Sequence, residues 1–260
     1  MINLLKAKQA FKKSLEQFNE KEKLGFDLKI VHTYHVMDNS KTISCRLELS
    51  EEDILLAELI GLLHDIGRFE ELIRFDKFDS VNNDHATVGV QLLFEGDLIR
   101  DFIEDSQYDE IIKKAILNHN KLIIENGLDD RTLLHSKIIR DADKLDNFRV
   151  AKEESIEAIF PNVVNKIEEF EYSEISDKVY DSIINKRCVD VHDRKTPLDY
   201  WCCLLAFIFD LNFKQSFEII KENDYINLCI DRFNYYNQET KERMKKIKEI
   251  TNNYIEEKTK

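Results

Sequence analysis

Apolar and polar positions recur along this chain at helical rather than strand spacing. Between residues 2 and 20, Leu4, Leu5, Ala7, Phe11, Leu15 and Phe18 share one stripe among charged neighbours, which predicts an amphipathic helix. Residues 26–38, FDLKIVHTYHVMD, predict a second. Ser50 is suited to cap a third, because Glu51, Glu52 and Asp53 follow it where the helix dipole favours acids. From Ile54 to Leu63 that helix is apolar on nearly every side, the pattern of a helix enclosed by others. It ends on His64 and Asp65, and Gly67 is placed to act as its C-terminal cap.

The pattern continues over 84–95 and 109–118, each with a histidine at one end, and over 131–149, which contains RDADKLDNFR. Residues 150–187 predict two more helices. VHDRKTP (191–197) holds one of the two prolines and is the best candidate boundary. The strongly apolar LDYWCCLLAFIFDLNF (198–213) is expected to pack as core, and the Lys/Glu-rich stretch from Glu239 to form a solvated helix. The expected architecture is all-α: a helical core over 1–190 and further C-terminal helices over 191–260 packed on it.

Composition agrees. Only 6 Gly and 2 Pro are present, too few for a turn-rich β fold, while 43% hydrophobic residues suffice for a core. A formal net charge of −13 argues against a nucleic-acid polymer as partner, since a phosphate backbone needs a positive surface. A small phosphorylated molecule stays compatible, because a metal ion can reverse the charge locally. The five cysteines form no CxxC pair and read as scattered thiols in a reducing compartment. MINLLKAKQAFKKSLEQF lacks the unbroken apolar run of a signal peptide, and no window reaches the length of a membrane span. A cytoplasmic protein without a membrane partner is expected; its oligomeric state is left open.

The chemistry lies with the histidines, of which there are 7. His64–Asp65 follows a buried helix, where an unpaired carboxylate would cost several kcal/mol and a metal ion is an effective partner. His32, His64–Asp65 and Asp143 are far enough apart in sequence for each to come from a different helix, and imidazoles converging with carboxylates inside a bundle suit a divalent metal.

At this point HTYHV (32–36), LLHDIGRFE (62–70) and DADKLDN (141–147) resemble, in order and spacing, the H…HD…D signature of the HD superfamily of metal-dependent phosphohydrolases; the resemblance runs from about residue 28 to residue 150. It implies His32, His64, Asp65 and Asp143 as metal ligands, with Asp143 favoured over Asp141, which would instead orient a ligand. It also implies that His85 and His119 complete a six-residue set for two ions, with Asp65 as the bridge. The metals compatible with such a set are Mn, Fe, Ni, Co, Zn or Mg. The implied activity is hydrolysis of a nucleotide or another small phosphoester by a metal-activated hydroxide, with Asp65, Arg68 and Lys144 in the catalytic machinery. Glu70 and Glu71 are the acids beside Arg68. His35 is expected in the core or beside a ligand, His135 either near the site or at the surface, and His192 in solvent. No GYP follows the HD pair, which counts against one cyclic-dinucleotide branch. Two alternatives remain: a di-iron oxygenase using the same six ligands, and a binding module that keeps the fold without chemistry.

Overall fold

A computed structural model of the protein describes residues 2–16, 26–75, 84–160 and 166–260. Every regular element among them is helical, with no strand. The chain divides into two compact units, Met1–Asp143 and Lys144–Lys260.

The first unit contains α1 (Leu4–Glu16), α2 (Phe26–Arg46), α3 (Glu51–Leu63), α4 (Ile66–Phe75), α5 (His85–Val90), α6 (Ile99–Phe102), α7 (Asp109–Asn118) and the start of α8 (Asp130–Glu153). α1 buries Ala7, Phe11 and Leu15 as its stripe predicts, whereas 17–20 of the expected helix lie outside the described residues. Ser50 caps α3 by accepting from the Asp53 amide. From Leu56 to Leu63 every side chain of α3 is buried, close to the span its apolar run suggests. The burial of each large aliphatic side chain there contributes roughly 1.5–3 kcal/mol.

α2 and α3 pack closely because Gly61 has no side chain. A Cβ there would lie 2.8 Å from Met37 Cα, inside contact distance. α2 also runs eight residues past its expected end at residue 38. The polar run after Asp38 suggests a stop, yet its hydroxyls find partners inside the helix: Thr42 Oγ1 donates to Asp38 O, and Ser44 Oγ to Ser40 O. Gly67 likewise departs from its expected role. It is not a C-terminal cap but lies inside α4, where the chain resumes helix straight after Asp65. What requires glycine is the crossing with α5, since a Cβ at 67 would meet the His85 carbonyl oxygen at 2.1 Å and Gly89 N at 2.6 Å.

The second unit holds the rest of α8, the short helices α9 (Ile156–Ile159) and α10 (Glu168–Glu171), α11 (Asp177–Ile184), α12 (Pro197–Leu205), α13 (Lys214–Glu222), α14 (Tyr225–Ile230) and α15 (Gln238–Thr259). Among its described residues the 150–187 stretch forms the end of α8 and three short helices rather than two. Thr196 and Asp199 close a capping box at α12, whose first residue is Pro197. The apolar 198–213 segment supplies core as expected: Trp201 is fully buried, with its ring centroid 6.1 Å from that of Phe170 and 4.9 Å from that of Phe233. α15 differs from expectation. It is amphipathic, burying Thr240, Met244, Ile247, Thr251 and Ile255 against α11, α13 and α14. Those five positions recur at helical spacing between Lys and Glu residues whose number hides them in a composition reading.

Candidate metal centre

Five local structures of the first unit each deliver one or two polar side chains to a common interior point. His32 comes from the middle of α2. His64 caps the C-terminus of α3 and Asp65 follows it. His85 opens α5, His119 caps the C-terminus of α7, and Asp143 comes from α8. His32, His64, Asp65, His85 and His119 are buried; the Asp143 side chain keeps partial exposure.

The arrangement is built around Asp65. Its Oδ2 lies 3.7 Å from His32 Nε2 and 3.7 Å from His64 Nε2, and Asp143 Oδ1 lies 3.2 Å from His32 Nε2. Its Oδ1 lies 3.3 Å from His85 Nε2 and 3.7 Å from His119 Nε2, and those two nitrogens are 3.0 Å apart. One carboxylate therefore turns one oxygen to each of two imidazole pairs. Within this cluster, the ligand atoms of His32, His64 and Asp143, and those of His64, Asp65 and His119, lie within 4.8 Å of one another.

Backbone carbonyls set the orientation of two of the rings. His64 Nδ1 bonds Gly61 O at 2.8 Å and His119 Nδ1 bonds Ile116 O at 2.7 Å, each three residues back along its own helix. A carbonyl can only accept, so Nδ1 carries the proton and the Nε2 lone pair faces the centre. This is how imidazoles are prepared for a metal ion. His64 Nε2 is buried and has no hydrogen-bond partner, a costly state that a coordinated cation would relieve.

The electrostatics match. Burial pushes His64 down to about 4, outweighing the attraction of Asp65, so the ring is neutral at pH 7. Burial, together with the Arg68 charge, holds His85 well below the usual histidine range. Burial works against ionisation of Asp65, but the Lys29 ammonium keeps its carboxyl well below the usual carboxylate range. Asp143 is likewise held low, against burial, by the hydrogen bond and charge of His32. A neutral imidazole and an ionised carboxylate are the forms in which such side chains coordinate a metal.

Of the two expected cations, Arg68 is in the first unit: its Nη1 pairs with Glu71 Oε2 at 3.0 Å, and its Nε lies 3.8 Å from Asp65 Oδ1. Lys144 belongs to the second unit, where its ammonium pairs with Asp210 at 2.8 Å and lies over the Phe207 ring. Asp141 is buried on α8. His35, one turn from His32 on α2, is exposed rather than in the core. His135 is buried away from solvent and spends its Nε2 on Asp53 Oδ1 at 3.1 Å, and His192 is exposed.

Two contributors have no part in the sequence expectations. Lys29, one turn before His32 on α2, places its ammonium 2.9 Å from Asp65 Oδ2. Arg140, one turn before Asp143 on α8, is buried and donates from Nη1 to the carbonyls of Asn118 (2.7 Å) and Lys121, which fixes the turn carrying His119. Both sit at the i−3 position from a ligand, and that spacing is the signal by which they are found. Asn120 adds a bond to Asp84 Oδ1 at 2.8 Å, tying the His119 turn to the cap that precedes His85.

Among the described residues no helix is long and apolar enough to cross a membrane. In comparison with known families, residues 30–147 match the model described as HD domain, a stretch that begins just before His32 and ends just after Asp143. No curated protein and no solved structure matches the chain significantly.

Proposed function

We propose that the chain, whose residues 30–147 match the HD-domain model, is a metal-dependent phosphohydrolase acting on a nucleotide or another small phosphoester. The observation that carries this reading is the Asp65 carboxylate, which turns Oδ2 to His32 and His64 and Oδ1 to His85 and His119. The donor set fits a divalent metal, since imidazole nitrogens and carboxylate oxygens face one another in a buried site. His32, His64, Asp65 and Asp143 would hold one ion, and Asp65, His85 and His119 a second.

Divalent ions bound there supply Lewis acidity toward a phosphate oxygen and bring the pKa of a water toward neutrality. The protein's own part is orientation and charge. Gly61 O and Ile116 O hold the His64 and His119 protons on Nδ1, so the inward nitrogens stay free to coordinate. Arg68, fixed by Glu71 and next to Asp65, is given the role of meeting charge on phosphate oxygens. Lys144, engaged by Asp210, is given none.

The test is metal content by inductively coupled plasma mass spectrometry on protein purified without added metal or chelator, beside a His64→Ala, Asp65→Ala double variant and with a panel of phosphomonoesters, phosphodiesters and nucleotides. About two ions per chain and hydrolysis of at least one ester, both lost in the double variant, are expected. Metal-loaded protein inert across the panel would instead mark a binding module, and iron-dependent oxygen consumption an oxygenase.

A further inference from the structure

The cation nearest the bridging carboxylate is one that neither the family signature nor the sequence expectations assign. Lys29 Nζ lies 2.9 Å from Asp65 Oδ2, the same oxygen that faces His32 and His64, and Asp65 is the carboxylate it pairs with among the described residues. Arg68 and Lys144 have closer acids outside the six-residue set, Glu71 and Asp210, with Arg68 standing farther off, at 3.8 Å, from Asp65 Oδ1. Lys29 shares its acid with the metal centre.

Its side chain is 25% exposed while that of Asp65 is 5% exposed, so the ammonium stands between the buried ligands and solvent. The chain as a whole carries a net charge of −13, which repels anions, so an anionic substrate needs local positive charge at the mouth of the site. An ammonium on a flexible stem is a compact point charge that can turn from one oxygen to another without rearranging the helix that carries it. A cation that ligates Asp65 Oδ2 would take up the charge that Lys29 now neutralises, leaving the ammonium for an incoming anion.

We propose that Lys29 is the anchor for the phosphate group of the substrate, donating to its oxygens from the α2 side of the centre. This rests on the phosphohydrolase reading of the same site. The experiment uses the full chain loaded with manganese, as wild type, Lys29→Met and Lys29→Arg. Metal content is measured by mass spectrometry and binding of inorganic phosphate by isothermal titration calorimetry. Metal content is expected to be the same in all three. Lys29→Met is expected to weaken phosphate binding by about 10-fold or more, the effect of losing one charge-assisted hydrogen bond, and Lys29→Arg to restore most of it. Phosphate binding unchanged in Lys29→Met at equal metal content would overturn the anchor and leave the phosphohydrolase reading standing. Loss of metal from Lys29→Met would overturn it too, by making Lys29 a support for the ligands. Wild-type protein that holds its metal but binds no phosphate would overturn both.

Discussion

His85 and His119 meet through their Nε2 atoms at 3.0 Å, although 34 residues separate them in the chain. His119 Nδ1 is held by Ile116 O, so its inward nitrogen offers a lone pair to the place that His85 also faces. On the two-ion reading, these two imidazoles with Asp65 Oδ1 would form one half-site, and His32, His64 and Asp143 the other. Substituting either histidine by alanine should therefore remove one ion and spare the other. Metal content should fall from about two ions to about one in His85→Ala and in His119→Ala. Loss of all metal in both variants would show that the half-sites are not separable.

Arg140 offers a test of how the second half-site is held without touching a ligand side chain. Its guanidinium bonds the carbonyls that end α7 and begin the next turn. No continuing helix donates to those carbonyls, and leaving the buried Asn118 carbonyl unpaired costs on the order of 3 kcal/mol. Arg140→Met should lower thermal stability and free the His119 ring, so metal content should drop toward that of His119→Ala while His32 and His64 keep their ion. A variant that loses stability but keeps its full metal content would show that Arg140 serves the fold alone.

The residues of the candidate centre are legible because each is a residue type whose chemistry is conspicuous at the end of a patterned segment. His64 and Asp65 follow an apolar run, His85 and His119 mark helix ends, and Asp143 sits in DADK. Lys29 and Arg140 are not, because a lysine or arginine on a charged helix face looks like any solvated residue until the fold shows what faces it. Gly67 carries a local signal in the sequence, the end of a helix, whereas its constraint is tertiary: the backbone of α5 passes against it. The same holds for α15, where five modest buried positions are outnumbered by charge. What periodicity conveys is one element at a time, and contacts between elements distant in sequence are what it omits.

The α4–α5 crossing gives a graded prediction. In Gly67→Ala the new methyl would meet the His85 carbonyl oxygen at 2.1 Å, a backbone atom that moves only with its helix. In Gly89→Ala, on the other side of the same crossing, the nearest atoms stand at 3.2 Å and 3.3 Å, which small shifts accommodate. Gly67→Ala should cost about 3 kcal/mol or more in denaturant unfolding and lower metal occupancy by displacing His85, and Gly89→Ala should cost about 1 kcal/mol. Equal effects in the two variants would rule out backbone contact as the reason glycine occupies residue 67.

Asp53 makes stability depend on pH away from the metal ligands. In the first turn of α3 it accepts from Ser50 Oγ at 2.7 Å, Arg131 Nε at 2.8 Å and His135 Nε2 at 3.1 Å. Burial opposes ionisation, but these three partners hold its carboxyl down to about 2, against an ordinary value of 3.8. A carboxyl whose pKa is lower folded than unfolded contributes stability that is complete above the unfolded value and disappears as pH falls toward the folded one. The window is thus from about pH 4 down to about pH 2, and solvent screening limits the contribution to on the order of 1 kcal/mol. Asp53→Asn keeps the side-chain shape and one acceptor but cannot ionise. In urea unfolding of metal-free protein, wild type should exceed Asp53→Asn by about 1 kcal/mol at pH 6, and the gap should narrow steadily once the pH passes below about 4. A gap that stays constant from pH 6 to pH 3 would mean that Asp53 acts through its hydrogen bonds alone and that its charge contributes nothing to holding α3 against α8.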